Sequence, residues 1–199
     1  MATRSEIIGL VKVKMDELTP FDEALIVSSG NDGVQPIADY IESILDETTR
    51  EYLHQVPTHK VPESCIGTLG LISGVPLSIT KPTDFIKILY IKLHDWERPV
   101  YEAIKTDNIR YKLQSNTYTK GGTAKPVVVE TADSLEFYSS GTTRTNDVKK
   151  YVLFQAPESI AETKAHEAIS WLCASKVLSI MGNELAKNAY DQFKIALLS

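Results

Sequence analysis

Cysteine is scarce in this chain. Cys65 and Cys173 are the only two in 199 residues and lie far apart, which excludes a disulfide framework and a zinc site built from closely spaced thiols. Two free thiols fit a protein made in a reducing cytoplasm. Long apolar runs are missing too: no stretch approaches the roughly 18 to 20 residues that a membrane helix needs. The opening residues, MATRSEIIGLVKVKMDEL, are interrupted by Glu6, Lys12, Lys14, Asp16 and Glu17 and do not read as a signal peptide. No membrane partner is expected. An excess of positive charge is also lacking. The 21 Lys and Arg stand against 26 Asp and Glu for a net charge of −5, which argues against a protein whose main task is to coat nucleic acid.

What remains is an ordinary globular composition, 43% hydrophobic and 24% charged, long enough to bury a core without staples. Thr3 followed by Glu6 reads as a capping box opening a helix to about Leu18, with Ile7, Ile8, Val11, Met15 and Leu18 as its apolar stripe. Pro36 suits the first turn of a second helix reaching about His54, with Ile37, Ile41, Ile44, Leu45, Thr48 and Tyr52 on its buried face. Residues 57–83, rich in Pro, Gly and Ser, promise only weak structure.

The segment FIKILYIKL, Phe85 to Leu93, is β-branched and aromatic and reads as a strand, with Ile86, Ile88 and Tyr90 on one face and Lys87, Leu89, Ile91 and Leu93 on the other. A short helix is expected over Pro99 to Lys105. Three further strands, Pro126–Thr131, Ser134–Ser139 and Val148–Gln155, would form an antiparallel meander. From Pro157 onward apolar and alanine positions recur at helical spacing, with Gly182 marking a kink or a turn between two helices. The fold class expected is α+β. N-terminal helices and an alanine-rich C-terminal helical region would pack with a small antiparallel β-sheet and carry long loops. Residues 1–199 read as one domain, divided into helices at 1–56, a β-rich middle at 57–156 and a helical end at 157–199.

A search for catalytic chemistry finds little. KGGTAK at 120–125 lacks the spacing of a P-loop and reads as loop punctuation. His54 and His59 straddle Pro57 and cannot share a helix face as metal ligands do, and His94 and His166 each adjoin a carboxylate that points elsewhere. No nucleophile elbow surrounds Ser64-Cys65. Catalytic, cofactor-binding and metal-binding residues are therefore expected to be none, and the chain is not expected to be an enzyme, although a site assembled from distant residues would be invisible in sequence order. One cluster stands out. Lys81, Lys87, Lys92, Arg98, Lys105, Arg110, Lys112, Lys120 and Lys125 are interleaved with Tyr90, Trp96, Tyr101, Tyr111 and Tyr118, a pattern that suits either a solvated face or a surface facing DNA.

The order of these elements resembles the head-to-tail connector (adaptor or ring) proteins of tailed bacteriophages, of podovirus or crAss-like type. The resemblance is carried by Lys81-Pro82-Thr83-Asp84-Phe85 at the start of a strand, Trp96-Glu97-Arg98-Pro99-Val100 after it, and RYKLQSNTYTKGGTAKPVV from Arg110 to Val128. Leu135-Glu136-Phe137-Tyr138, YVLFQAPESI from Tyr151 to Ile160, and the alanine-rich end from Glu162 to Leu198 complete it. It implies a virion protein with no cofactor, made in the host cytoplasm and placed at the neck as a homo-oligomeric ring of twelve copies. Its partners would be the portal protein, the next tail or ring protein, and viral DNA passing through the exit channel without sequence recognition. A lumen that is acidic or neutral would let that DNA pass.

Loops at 19–34, 57–83, 106–125 and 141–147 would then serve assembly and become ordered on it. Trp96, Arg98, Tyr101, Tyr118 and Phe193 are the candidate assembly contacts, because aromatic side chains and Arg dominate interface energetics, although Trp96 reads more readily as core. The alternatives are another tail or neck structural protein and a DNA-binding assembly factor.

Overall fold

The computed structural model describes residues 2–16, 36–68, 77–116, 118–139 and 147–198. These hold helices α1 (Arg4–Asp16), α2 (Ile37–Gln55), α3 (Ile109–Lys112), α4 (Thr163–Ile180) and α5 (Ala186–Leu198). The strands are β1 (Ile66–Thr68), β2 (Leu77–Thr80), β3 (Phe85–Lys92), β4 (Ile104–Lys105), β5 (Val127–Glu130), β6 (Ser134–Tyr138) and β7 (Val148–Leu153). The fold is α+β. It divides into two compact units, a helical one from Met1–Cys65 with Phe154–Ser199 and a sheet unit from Ile66–Leu153. The two ends read from sequence as separate helical regions thus share one unit. Among the described residues no helix is long and apolar enough to cross a membrane.

In the helical unit, the capping box forms as its residues require. The Thr3 N–H donates to Glu6 Oε2 at 2.7 Å and the Glu6 N–H to Thr3 Oγ1 at 3.2 Å, so two orphan donors are satisfied at once. These bonds hold the Glu6 carboxyl below its ordinary pKa. Ile7, Val11 and Met15, spaced by four, are buried as one stripe; Leu18 lies outside the described residues. Arg4 then ties α1 to its surroundings, reaching Asp46 on α2 at 2.9 Å and Glu158 at 3.4 Å.

Helix α4 is different, because it is buried nearly all round, from Ala165 and His166 to Val177 and Leu178. His166 belongs to this interior: its Nε2 sits 3.0 Å from the Pro157 carbonyl oxygen. Gly182, at φ +67°, ends the helix region as a turn between two helices rather than a kink. The Asn183 N–H donates to Leu178 O at 2.9 Å and the Gly182 N–H to Ser179 O at 3.0 Å, a left-handed cap that satisfies carbonyls at the end of α4. Asn183 Oδ1 then accepts the Leu185 N–H at 2.9 Å, just before α5 begins.

The sheet unit corrects two expectations. The three later strands do not form a meander, because only β5 and β6 pair as a hairpin, in a sheet of order β2-β6-β5-β4, while β7 sits between β1 and β3 in a second sheet. Strand identity is a local property, but pairing is decided by which faces close a core. Ile79, Val128, Leu135 and Phe137 from one sheet share a single apolar cluster with Ile88, Ile91 and Tyr151 from the other. The expected helix over Pro99 to Lys105 is extended instead. Val100 bridges to Ile91, and Ile104–Lys105 pairs parallel to β5.

Strand β3 follows its sequence but not the simple alternation. Register shifts between Phe85 and Lys87 and between Ile88 and Tyr90 place Ile88 opposite Tyr151 and Ile91 opposite Lys149. Both isoleucines therefore face the same way, which a strict two-residue period forbids. The weak stretch at 57–83 holds 3₁₀ turns at Thr58–Lys60 and Glu63–Cys65 and strands β1 and β2, with residues 69–76 outside the description.

Two glycines give predictions of opposite sign. Gly182→Ala forces a side chain into the left-handed region and lowers stability by about 1 kcal/mol. Gly9→Ala, in α1 with nothing within 4 Å of the added methyl, raises it by about 0.5 to 1 kcal/mol. Urea titration of each variant followed by circular dichroism measures both.

Candidate assembly interface

Between the end of β3 and the start of β5 the sheet unit carries a long loop whose base is fastened by the backbone. Ile91 and Val100 exchange both N–H···O bonds, at 2.9 and 2.8 Å, and the Glu97 N–H donates to Thr123 O at 3.0 Å across the two limbs. Lys92 Nζ closes the same corner on Glu97 O at 3.2 Å.

Beyond this base the loop is built from its own polar groups. Asn108 caps α3, its side chain accepting the Arg110 N–H at 2.9 Å, and the turn runs on as a 3₁₀ segment, Leu113–Ser115. Gln114 Nε2 donates to Arg110 O, Thr119 Oγ1 to Leu113 O, and the Tyr118 N–H to Asn116 Oδ1 at 2.9 Å. Tyr111 meets Tyr138 edge-on, with centroids 6.1 Å apart. Burial, then the Tyr138 hydroxyl's bond to Glu136 Oε2, pushes the Tyr138 phenol pKa upward. This segment was expected to gain order on assembly, yet its described residues already make these bonds.

The loop nonetheless offers apolar side chains to water. Ile109 is 66% exposed, Tyr118 98% and Tyr101 58%, and Leu113 is exposed beside them. Tyr101 is held edge-on against Tyr90 at 5.7 Å. Lys105, Arg110, Lys112, Lys120 and Lys125 are all exposed on the same loop, with Asp107 the one carboxylate from 105 to 125. None of the five enters a salt bridge with another described residue. Of the other cations in the cluster, Lys81 pairs with Glu130 at 3.2 Å and Lys87 is half-buried, its pKa lowered by desolvation.

Of the candidate contacts, Arg98, Tyr101 and Tyr118 are exposed in the sheet unit. The other two are buried, Trp96 in line with its reading as core. Trp96 is 2% exposed, its ring 6.3 Å from Phe137, and Phe193 of α5 is fully buried against Tyr190 with centroids 5.7 Å apart. Both supply core, because large aromatic rings satisfy a core and an interface equally well and sequence does not say which is nearer. Sequence reasoning missed Ile109 and Leu113. The signal was Asn108, a capping residue in front of a short apolar repeat.

Charge is partitioned as well. The sheet unit has 12 Lys and Arg against 9 Asp and Glu, net +3, and the helical unit 9 against 17, net −8. On α2, Asp39, Glu42, Asp46, Glu47 and Glu51 accumulate. Arg4 is shared by Glu42, Asp46 and Glu158, Lys176 by Glu47 and Glu51, and Asp39 joins neither set.

Open grooves lie among the described residues of the helical unit. One, of about 560 Å³, is lined by Tyr40, Ile44, Glu47, Lys176 and Tyr190, and a second, of about 510 Å³, by Tyr52, Val56, Glu162 and Leu197. Near the second, burial pushes the Tyr52 phenol up to about 12 and the Cys65 thiol up to about 11; the buried Cys173 thiol is raised to about 12. Such groups are poor nucleophiles at neutral pH. Among the described residues no set of three or more His, Cys, Asp and Glu is placed to hold a metal ion. Residues 19–34 and most of 141–147, also expected to serve assembly, lie outside the description. No family model matches this chain, and a search of curated proteins finds no match.

The thiols yield a direct check. Native protein at about pH 8 leaves both cysteines unreacted with a thiol-specific dye over minutes, since both are buried and burial raises each thiol's pKa well above that pH. Denaturant releases two equivalents. Stoichiometric reaction of the native chain would show that one of them is an accessible, activated thiol.

Proposed function

We propose that this chain is a structural virion protein, a neck ring subunit of a tailed phage that joins the portal to the next tail component around the DNA exit channel. The reading rests on the resemblance in element order and on one observation above all. The loop from 97 to 125 is fastened by its own hydrogen bonds, yet it holds Ile109 and Tyr118 out in water and leaves Leu113 partly exposed. Burying a side chain of that size is worth about 1.5 to 3 kcal/mol, so an ordered loop that forgoes it in the lone subunit is shaped for a partner. Charge that differs in sign between the two units adds to this. A ring subunit must offer two unlike surfaces that meet when the chain is repeated around an axis.

A DNA-binding assembly factor is the second reading, favoured by the five exposed cations of the same loop, which join no salt bridge among the described residues. The two readings part on salt. A DNA binder using those five cations loses affinity with a log–log slope of about −4.5.

Mass photometry of the full chain over rising concentration, with and without purified portal particles, tests the proposal. Closed oligomers or portal-bound particles are expected, with weak DNA binding. A chain that stays monomeric, ignores portals and binds DNA tightly at low salt would overturn it.

A further inference from the structure

Resting on that ring reading, we infer that the loop Lys105–Lys125 of one copy docks on the outward face of α2 in the next copy, a contact between unlike surfaces that repeats around the ring. The loop supplies five exposed cations and one carboxylate, and Ile109, Leu113 and Tyr118 are exposed on the same loop. A phosphate backbone would satisfy the cations, but it offers nothing to Ile109 and Leu113. A protein surface satisfies both.

The acidic partner surface is present on the same chain. Asp39, Ser43, Glu47 and Glu51 recur every four residues and so share one stripe of α2, with Glu42 and Asp46 beside it. Five carboxylates, Glu158 included, share Arg4 and Lys176, so these two cations leave negative charge over. The side chains of Glu42, Asp46 and Glu47 are 57%, 51% and 80% exposed, and Ile44 on this helix is half-buried at the groove below them. Complementary charge would steer the encounter and fix its register, while Ile109, Leu113 and Tyr118 lose their contact with water. Because each copy carries one loop and one α2 face, the contact is heterologous and propagates until rotation closes it.

Charge reversal on each side tests the pairing. Arg110→Glu with Lys112→Glu alters the loop, and Asp39→Lys with Glu47→Lys alters the least engaged acids of α2. Circular dichroism and thermal melting establish that every variant is folded. Each pair alone is expected to raise the concentration of half-assembly by about tenfold or more, and the four changes together in one chain to bring it back to within about threefold of the parent. Parent assembly should also weaken as salt rises.

If the parent assembles and either reversed pair assembles equally well, the inference fails while the ring reading stands. If both pairs block assembly and the combination does not recover it, the two surfaces do not meet, and the inference fails again. If the loop reversal removes DNA affinity and leaves assembly intact, the loop is a nucleic-acid surface. A parent chain that is monomeric at every concentration defeats the ring reading and this inference together.

Discussion

Helix α4 must be buried on almost every side, and the rest of the helical unit follows from that. Its small residues, Ala165, Ala168, Ser170, Ala174 and Ser175, let neighbouring backbones approach closely. The two serine hydroxyls are satisfied inside the helix, on His166 O at 2.7 Å and Leu172 O at 2.8 Å. A helix of this kind has no face to give to water. Its neighbours accordingly bring one stripe each: Ile7, Val11 and Met15 from α1, Ile41 and Leu45 from α2, Ala189 and Phe193 from α5. Each neighbour keeps an outer face with no packing duty, and the charge of the unit collects there. The acidic face of α2 is thus a product of the way the core is made.

In the sheet unit the equivalent constraint is closure of one apolar cluster by strands that are distant in sequence. Trp96 stands at the foot of the long loop and in the core at once, its ring buried and its indole N–H without a hydrogen-bond partner among the described residues. A buried donor left unmet costs about 1 to 3 kcal/mol, an expense that the packing of the ring must outweigh. What the core gains is a fixed point, since the Trp96 backbone N–H is bound to Leu93 O at 3.1 Å and the next residue starts the hydrogen bonds that tie the loop's two limbs. The loop is therefore anchored in the interior while its far end is free to meet something else. Core and proposed contact surface are mechanically continuous there.

How much of this was legible in the sequence depends on the range of the interaction involved. The capping box of Thr3 and Glu6 was readable because donor and acceptor lie three residues apart, and α2 because its apolar period is carried by nineteen residues. β3 was readable as a strand, but its register shifts are set by β7, more than fifty residues away. The exchange of β7 into the other sheet and the extension of 99–105 beside β5 fail to show for the same reason: partner choice is decided after collapse. Residue type alone left Trp96 and Phe193 open between contact and core, and both side chains are buried. Tyr101 and Tyr118 were pointed to by the same reasoning and are exposed.

A net charge of −5 conceals the electrostatic organisation of this chain, because it averages a unit at −8 with one at +3. The average predicts an acidic molecule that repels its own copies. The partition predicts a molecule whose copies repel in like-to-like approach and attract when opposite units meet, so orientation is selected before any apolar contact forms. Such selection works only over about a Debye length, close to 8 Å at physiological salt. Charges of the loop and of α2 lie on outer faces and are available at that range, whereas Ile109 and Leu113 act only on touching. In the proposed contact, steering by the cations and holding by the apolar side chains would therefore be successive steps, and a loop that carried either set alone would find its partner slowly or release it quickly.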